Sequence, residues 1–388
     1  MRFPCFDQPY TVSPLSNYLF ENTERNRDLL FDKEDVLSVS GEFGVVNQIE
    51  FQGRSFAGES VAEYHVVDTN DVVYTKSPLK ANPYGIIKTN KGVPGIVSTL
   101  YAVYHPKECT DPLYVEYYFG NDLRLNKFLK PLVNIGAKHD MKVNNEFVLT
   151  GEVCFPSVIE QRKVVQFLSF LDQRIEKQRS LVKHLKKYKR GVMREIFETK
   201  TLFSSHHYSI VQLGNECRFF SGGTPQSGNS KYYGGSIPFI RSGEVHKSIT
   251  ELTLTEEGLN NSSAKMVEVG DLIMALYGAT SGEVDISKIS GAINQAILCI
   301  RPNTINRHYL KFLFECKKED ILKTYLQGGQ GNLSAEIIKK LYFEIPLPSE
   351  QQETVDFLVA LENKISLEDS KLEKLFSVRN GLLQRLFI

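Results

Sequence analysis

Two segments of the chain place apolar residues at alternating steps of four and three positions. One segment runs from Val164 to Ile196 and the other from Thr354 to Leu386. This 3.5-residue repeat predicts two long helices that pack through an apolar seam with a left-handed supercoil. Each rod of about 38 residues is expected to be roughly 55–60 Å long. The seam is expected to pack through these leucines and isoleucines: Leu168, Leu171, Ile175, Leu185, Leu358, Leu361, Ile365 and Leu375.

The two helical segments are copies of one another. At a constant shift of 190 residues, positions 155–197 and 345–387 are identical at 12 of 43 places. The polar exceptions in the seam also match, because Gln178 corresponds to Glu368 and Lys189 corresponds to Arg379. We expect the two rods to pair antiparallel within one chain. A homodimeric coiled coil through the same seam is the alternative.

The stretch before each rod predicts a mixed α/β head. Short β-like runs such as Val72–Thr75 and Leu272–Leu276 alternate with loops rich in Gly, Ser and Asn, and short helices are expected at 113–132 and 307–326. The predicted fold class is α+β, with two α/β heads separated by two long antiparallel helices in a pseudo-two-fold tandem repeat. The predicted domains are the first head at 1–150, the first rod at 151–200, the second head at 201–342 and the second rod at 343–388.

Composition and charge narrow the range of functions. Lys+Arg and Asp+Glu both total 46, so the net charge is zero. A lone DNA binder carries surplus cations, so DNA binding by this chain requires segregated charge or a partner. The 6 cysteines form no C-x-x-C pair, which argues against a disulfide framework or a zinc site. The sequence shows no signal-peptide pattern and no apolar run long enough to span a membrane, so a cytoplasmic location is expected.

The second head contains strings that resemble a known family. They resemble the opening of a target-recognition domain in the specificity (S) subunits of type I restriction–modification systems: Val211-Gln-Leu-Gly214, Gly223-Thr-Pro225, Tyr232-Tyr-Gly234 and Ile237-Pro-Phe-Ile240. Three further stretches are similar to the family's central strands and helix entry: Gly270 to Thr280, Asn294-Gln295, and Ile345 to Gln352. The resemblance covers nearly the whole chain and includes the duplication. The first head departs from it, with Asn82-Pro-Tyr-Gly85 in place of the Gly-Ala-Thr region.

This resemblance implies a function and a set of partners. An S subunit reads a split double-stranded DNA target with one half-site per head, and its helices act as a ruler and dock two modification (methyltransferase) subunits. Those subunits are expected to hold S-adenosylmethionine and to flip the target adenine out of the duplex. Translocation and cleavage, with ATP and Mg, are expected of further restriction/translocase subunits. The resemblance thus implies that this chain has no catalytic residue, no metal and no cofactor of its own.

Loops that combine backbone donors, amides, cations and aromatic rings suit contacts to phosphates and base edges. In the second head, the candidate DNA-binding residues are Gly223, Thr224, Tyr232, Tyr233, Arg241, Ser242, Lys265, Tyr277, Gln330 and Asn332. In the first head, they are Ser38, Ser40, Lys76, Lys80, Asn82, Tyr84, Lys138 and His139. A row of cations between Arg174 and Arg194 on the first rod is either a solvated helix face or a strip that faces phosphates or an acidic partner.

Other functions fit the sequence less well. Asn82-Pro83-Tyr84 is one proline short of the adenine-methyltransferase pattern and follows no glycine-rich cofactor loop. Glu283, Asp285 and Lys288 lack the usual nuclease spacing and have no counterpart in the first head. His206-His207 lies near no ligand motif, which favours a linker pair over a metal site. Two alternatives stay open: a coiled-coil scaffold with two protein-binding heads, and the specificity subunit of a fused nuclease–methyltransferase system.

Overall fold

The computed structural model describes residues 2–79, 81–135, 141–202, 207–326 and 332–387. Contacts divide the chain into two compact units, Met1–Arg179 with Ser370–Ile388 (unit 1) and Ser180–Asp369 (unit 2). Each unit therefore combines one head with half of each long helix. Four candidate DNA-binding residues lie outside the described residues: Lys80, Lys138, His139 and Gln330.

Unit 1 is a set of small antiparallel sheets with short helices around them. Its strands are β1 (Thr11–Pro14), β2 (Leu19–Glu21), β3 (Leu37–Ser40), β4 (Gly44–Asn47), β5 (His65–Val67), β6 (Val72–Thr75), β7 (Ile86–Thr89), β8 (Gly95–Val97), β9 (Tyr101–Pro106), β10 (Asn134–Ile135), β11 (Met141–Lys142) and β12 (Glu152–Phe155). Its helices are α1 (Gln48–Gln52), α2 (Pro112–Tyr118), α3 (Asp122–Leu129), α4 (Asn145–Val148) and the first half of α5 (Val158–Phe197).

Unit 2 repeats this composition. Its strands are β13 (Tyr208–Gln212), β14 (Cys217–Ser221), β15 (Tyr233–Ile240), β16 (Leu252–Leu254), β17 (Lys265–Val267), β18 (Leu272–Ala275), β19 (Val284–Ile286), β20 (Gly291–Ile293), β21 (Ile297–Pro302) and β22 (Tyr342–Pro346). Its helices are α6 (Leu213–Glu216), α7 (Glu256–Asn260), α8 (Arg307–Leu326), α9 (Ala335–Lys339) and the first half of α10 (Pro348–Arg385).

The two heads share one strand order. The antiparallel sheet β2-β9-β6-β7 of unit 1 has the same connectivity as β14-β21-β18-β19 of unit 2. A parallel contact outside this sheet also recurs in both heads. It joins Val36 to Ile96 in unit 1 and Phe239 to Ala292 in unit 2. The tandem repeat seen in the helices therefore extends through the heads, and the predicted fold class is confirmed. The residue numbers given for the domain boundaries stay predictions.

The long helices pack antiparallel within each unit. In unit 1, Leu168 near the start of α5 shares a core with Leu383 and Phe387 near the end of α10. In unit 2, Ile196 near the end of α5 shares a core with Leu358 near the start of α10. Burial of such apolar side chains contributes about 1.5–3 kcal/mol each. Within the described residues, no helix has both the length and the apolar character needed to cross a membrane.

Two polar residues of the seam, Lys189 and Arg379, form ion pairs at equivalent positions of the repeat. In unit 1, Arg379 Nε lies 2.6 Å from Asp172 Oδ1. In unit 2, Lys189 Nζ lies 2.6 Å from Glu362 Oε1. The shift of 190 residues converts one pair into the other, because Asp172 corresponds to Glu362 and Lys189 to Arg379. Each unit thus joins its two helix halves by one cation and one carboxylate at equivalent positions.

One local prediction needs correction. The helix expected at 113–132 is two helices, because Asn121 accepts a hydrogen bond from the backbone N–H of Arg124 and starts α3 anew after Gly120. The second rod begins as α10 at Pro348. A proline fits the first turn of a helix, where its missing N–H would have no intrahelical partner. The helix expected at 307–326 is confirmed as α8.

Candidate nucleic-acid interface

Strand pairing in unit 2 brings the ends of β15 and β20 and the start of β17 to one edge of a sheet. Ile240 at the end of β15 pairs in parallel with Ile293 at the end of β20. Lys265 at the start of β17 pairs with the same Ile293. Arg241 and Asn294 therefore leave the sheet next to Lys265. The exposed ammonium of Lys265 lies 5.9 Å from the centre of the Phe220 ring.

Two glycines allow a loop to close over this edge. A Cβ atom on Gly222 would lie 1.8 Å from the carbonyl oxygen of Ile293. A Cβ atom on Gly223 would lie 1.8 Å from Ser263 Oγ. Because both distances are far below van der Waals contact, only glycine fits these two positions without movement of the neighbours. The loop that carries Thr224 is thus packed directly on the loops that carry Ser263 and Gln295.

Thr224 and Gln295 form an exposed hydrogen-bonded pair at this place. The hydroxyl of Thr224 donates to Gln295 Oε1 over 2.7 Å, and both side chains are exposed. An amide group held in this way can offer its N–H donors and its carbonyl to a base edge. Gln295 was not among the predicted contact residues. The signal for it was the polar pair Asn294-Gln295, which interrupts the apolar run from Ala292 to Ile300.

Further loops reach the same end of unit 2. The N–H of Leu276 donates to the carbonyl of Ala296 over 2.8 Å, and the N–H of Leu333 donates to the carbonyl of Leu276 over 3.0 Å. Tyr277 and Asn332, which flank these bonds, are therefore close to the Asn294–Ala296 turn. We call this end, formed by 222–224, 241–242, 263–265, 276–280, 294–296 and 332, the loop cluster.

Three predicted contact residues of unit 2 have structural partners. Arg241 is held by two carboxylates, with its NH2 atom 2.5 Å from Glu251 and its Nε atom 3.3 Å from the buried Glu244. These hydrogen bonds raise the pKa of Arg241. Tyr233 donates its hydroxyl proton to the carbonyl of Pro225 over 2.8 Å, which anchors the loop after Gly223. The backbone of Tyr232 lies against Gly258, where a Cβ atom would be 2.3 Å from the Tyr232 carbonyl oxygen.

In unit 1, the side chains of two predicted contact residues are buried, and their role as base contacts stays a prediction. Ser38 is 8% exposed and accepts a hydrogen bond from Gln48 Nε2 at 3.0 Å. Asn82 is 7% exposed and donates from Nδ2 to Asp122 Oδ1 over 3.0 Å. The sequence made both residues look like polar loop residues, but tertiary packing covers them.

The other described candidates of unit 1 are only partly accessible. Ser40 accepts the N–H of Phe43 over 3.2 Å and so forms the turn between β3 and β4. Lys76 Nζ donates to Asn145 Oδ1 over 3.3 Å, and burial lowers the pKa of this amine. The carbonyl of Tyr84 accepts the hydroxyl of Tyr74 at 2.6 Å. The described residues of unit 1 therefore do not reproduce the exposed polar pair of unit 2.

One cluster of unit 1 has metal-ligand chemistry, but the repeat explains it as a hydrogen bond between a nitrogen donor and a carboxylate. Atoms of Asp68, Asp71 and His105 lie close together, with His105 Nδ1 2.5 Å from the buried Asp71 Oδ1. In unit 2, Arg301 occupies the position of His105 and binds Asp271 through two hydrogen bonds of 2.8 and 2.6 Å. Arginine does not bind metals, so the shared requirement of this position is a nitrogen donor beside a carboxylate.

The two buried aspartates differ in their electrostatics. Burial raises the pKa of Asp71 despite its hydrogen bonds. Burial also opposes ionisation of Asp271, but the hydrogen bonds from Arg301 and the Glu268 backbone outweigh it and lower the pKa of Asp271. The pKa of the buried aspartate is thus lowered in unit 2, where its partner is an arginine, and raised in unit 1.

A second charged cluster of unit 2 contains the carboxylates that resembled a nuclease motif. His246 lies between them, with Nδ1 3.0 Å from Asp285 and Nε2 3.1 Å from Glu283. The hydrogen bond with Asp285 raises the pKa of His246. Burial opposes ionisation of Asp285, but His246 and the charge of Lys311 lower its pKa to about 2. The carboxylates of Asp285 and Glu283 are therefore both engaged by basic side chains of the same unit.

Comparison with known proteins finds similarity to one family. Residues 207–376 match the family described as type I restriction modification DNA specificity domain. The chain is also similar to specificity subunits of type I restriction enzymes. It is 23% identical over 304 residues to a putative type I restriction enzyme MjaX specificity subunit of Methanocaldococcus jannaschii, covering 72% of this chain and 68% of that protein. It is 28% identical over 192 residues to the type I restriction enzyme HindI specificity subunit of Haemophilus influenzae, covering 46% and 40%.

Solved structures of specificity subunits have the same fold. The S subunit from M. genitalium aligns over 100% of this chain and 99% of its own with a TM-score of 0.62 and 13% identity. A chain solved in work on complex assembly and conformational transition of the type I R-M system aligns over 98% and 97% with a TM-score of 0.61 and 14% identity. At these identities the likeness establishes the fold alone. The predicted resemblance to specificity subunits of type I systems is thus confirmed.

Proposed function

We propose that this chain is the specificity subunit of a type I restriction–modification system and reads a bipartite duplex target, with one half-site contacted by each head. The observation that supports this most directly is the pair of heads with one strand order and different loops. Matching frameworks suit two equivalent positions on a duplex, while different loops suit two different base sequences. In unit 2, we propose that the loop cluster contacts the bases through Thr224, Lys265 and Gln295.

We also propose that the chain performs no chemistry of its own. The two carboxylates that resembled a nuclease site are engaged by His246 and Lys318. The Asn82-Pro-Tyr string that resembled a methyltransferase motif begins with a buried asparagine bonded to Asp122. S-adenosylmethionine, ATP and Mg would accordingly be bound by partner subunits, in a cytoplasmic complex.

The long helices have features that suit docking of modification subunits. Helix α5 has exposed apolar side chains at Ile159, Phe170, Leu181 and Tyr188, which are 69%, 63%, 43% and 56% exposed. Spacings of 11 and 7 residues place them on one helix face. Helix α10 has exposed Leu367 and Val378, at 52% and 54%. Of these residues, Tyr188 and Val378 occupy equivalent positions of the repeat. Exposed apolar side chains are typical of surfaces that receive a partner, and we assign these two to the modification subunits.

Methylome sequencing tests the proposed function. In a host that expresses the chain with its modification subunit, adenine methylation should appear in one motif with two half-sites and a spacer of fixed length. Exchange of the unit 2 loops 222–225 and 294–296 for those of another specificity subunit should alter one half-site and leave the other unchanged. Methylation of a single uninterrupted motif would contradict the proposal.

A protein-binding scaffold is the alternative function. The complex with modification subunits should bind a duplex containing the methylated motif at least about 10³-fold more tightly than a random duplex at the same salt concentration. Equal affinity for both duplexes would favour the scaffold instead.

A further inference from the structure

Helix α5 carries a row of cations that the proposed function does not use. Three of them have carboxylate partners: Arg179 with Glu42 and Glu176, Lys186 with Asp369, and Lys189 with Glu315 and Glu362. Those three are held by the fold of their own unit. The remaining cations are what the helix offers to other molecules.

Four of the remaining cations form a stripe on the unit 2 half of the helix. Lys183, Lys187, Arg190 and Arg194 follow one another at steps of four, three and four residues, which places them on one helix face. All four are exposed, and none has an ion-pair partner among the residues that the structure describes. At 1.5 Å per residue the stripe is about 16 Å long. We call these four residues the basic stripe.

The basic stripe is absent from the equivalent half of α10. At the shift of 190 residues, its positions are occupied by Glu373, Ser377, Asn380 and Gln384. One exposed apolar position does repeat, because Tyr188 corresponds to Val378 and both side chains are exposed. Two identical modification subunits that dock in equivalent ways need equivalent surfaces. The basic stripe therefore serves a ligand other than those two equivalent contacts.

The neighbouring helix extends the cationic surface. A groove of about 730 Å³ separates the basic stripe from α8, and its lining includes Lys317 and Lys323. Carboxylates line it too, among them Glu315, which is neutralised by Lys189 and Lys311. Three residues of the basic stripe, Lys187, Arg190 and Arg194, line the groove together with Glu198, Glu319 and Asp320.

We propose that the basic stripe binds the phosphate backbone of DNA next to the half-site that unit 2 reads. This inference rests on the proposed function, because it assumes that unit 2 is bound to a duplex. Four cations without internal counter-ions in a chain of zero net charge match a polyanion, and phosphate contacts carry no sequence information. The basic stripe then adds affinity beside one half-site only.

The test uses charge-matched double variants in the full complex with modification subunits. The stripe variant is Lys187→Gln with Arg190→Gln. The control is Arg174→Gln with Lys177→Gln, which removes two exposed cations of the same helix outside the stripe. A third variant, Lys187→Arg with Arg190→Lys, keeps the charge. Affinity is measured for a 40-bp duplex with the methylated motif and for a random 40-bp duplex, between about 50 and 200 mM salt.

In the stripe variant, the slope of log affinity against log salt should fall by about 1.8, which is 0.9 for each lost phosphate contact. The fall should be the same for both duplexes, whereas the control and the charge-keeping variant should retain the wild-type slope. An unchanged slope in the stripe variant would overturn the proposal. Weaker assembly of the complex, with an unchanged slope, would also overturn the proposal. That result would indicate that the basic stripe contacts an acidic protein surface instead of DNA. If the wild type fails to prefer the motif duplex, the proposed function fails, whatever the slope.

Discussion

Gln295 shows how a single side chain gains significance from its surroundings. Its carbonyl oxygen is fixed by Thr224, and the loop that carries Thr224 is fixed in turn by the close approach of Gly222 to Ile293. An exposed amide loses less conformational entropy on binding when its orientation is already set. The residue is therefore a better candidate for base readout than Arg241, whose guanidinium is bound to two carboxylates.

We expect Gln295→Ala to relax recognition at one base pair of one half-site. Loss of a bidentate amide contact is worth about 1–3 kcal/mol of discrimination, or roughly 5- to 150-fold. Methylome sequencing of the variant should show a degenerate base at one position with the other half-site intact. The control is Gln384→Ala on the exposed surface of α10, which should leave the motif unchanged. A uniform loss of methylation at all sites would indicate a structural role for Gln295.

His246 gives unit 2 a pH-dependent contribution to stability. Hydrogen bonding to Asp285 raises its pKa in the folded state, so its stabilisation is complete below the unfolded pKa of about 6.5. That contribution is lost as the pH rises through the folded pKa. The difference in Tm between wild type and His246→Gln, measured by calorimetry, should thus be larger at pH 6 than at pH 9. The same difference at both pH values would contradict this assignment.

At the scale of elements, the repeat preserves geometry while it changes chemistry. The pair that joins β7 to α2 in unit 1 is Lys88 with Glu116, at 4.0 Å. The pair that joins β19 to α8 at the equivalent place in unit 2 is Asp285 with Lys311, also at 4.0 Å and with opposite polarity. In both units the strand position and the helix position carry opposite charges, but which of the two is positive differs between the units. A search for identical residues misses such positions for that reason.

Lys311 should be the most sensitive of these charged positions. Its side chain is 8% exposed and its ammonium contacts Glu362 and Glu315, at 2.7 and 3.1 Å. Removal of one partner from a buried ion cluster leaves uncompensated charge and costs about 3–5 kcal/mol. We expect Lys311→Met to lower the free energy of unfolding of unit 2 by that amount in urea titrations. Lys186→Met breaks an exposed pair with Asp369 and should cost less than about 1 kcal/mol. Similar losses of unfolding free energy for both variants would refute the claim that burial makes Lys311 the more sensitive position.

At the scale of the whole molecule, two long helices connect the heads in the chain. The ends of α5 and α10 are buried in the head cores, with Phe387 packed on Tyr114 in unit 1 and Phe197 packed on Tyr309 in unit 2. Each helix end is thus fixed to its own head. If the helices act as a ruler, their length sets the number of base pairs between the half-sites.

Insertion of one heptad at Ser180 and at Ser370, two matched positions of the repeat, tests the ruler directly. Seven residues add roughly 10 Å of helix, which corresponds to about three base pairs, and they preserve the apolar seam. The methylated motif should keep both half-sites and gain about three base pairs of spacer. Insertion at one position alone puts the seam out of register and should abolish methylation. A motif with its original spacer after the double insertion would disprove the ruler.

The sequence by itself determined the repeat, the two long helices and the resemblance to a family. The spacing of apolar residues predicts which helix positions are buried. Of the twenty seam positions, ten between 164 and 196 and ten between 354 and 386, all are buried or partly buried. It did not determine which polar loop residues are accessible, because an isolated Ser or Asn looks the same whether it is covered or not. Only the tertiary structure placed Ser38 and Asn82 in the interior, neutralised Arg241, and brought Thr224 to Gln295. Accessibility and charge pairing depend on contacts between residues far apart in the chain, and local patterns carry no information about such contacts.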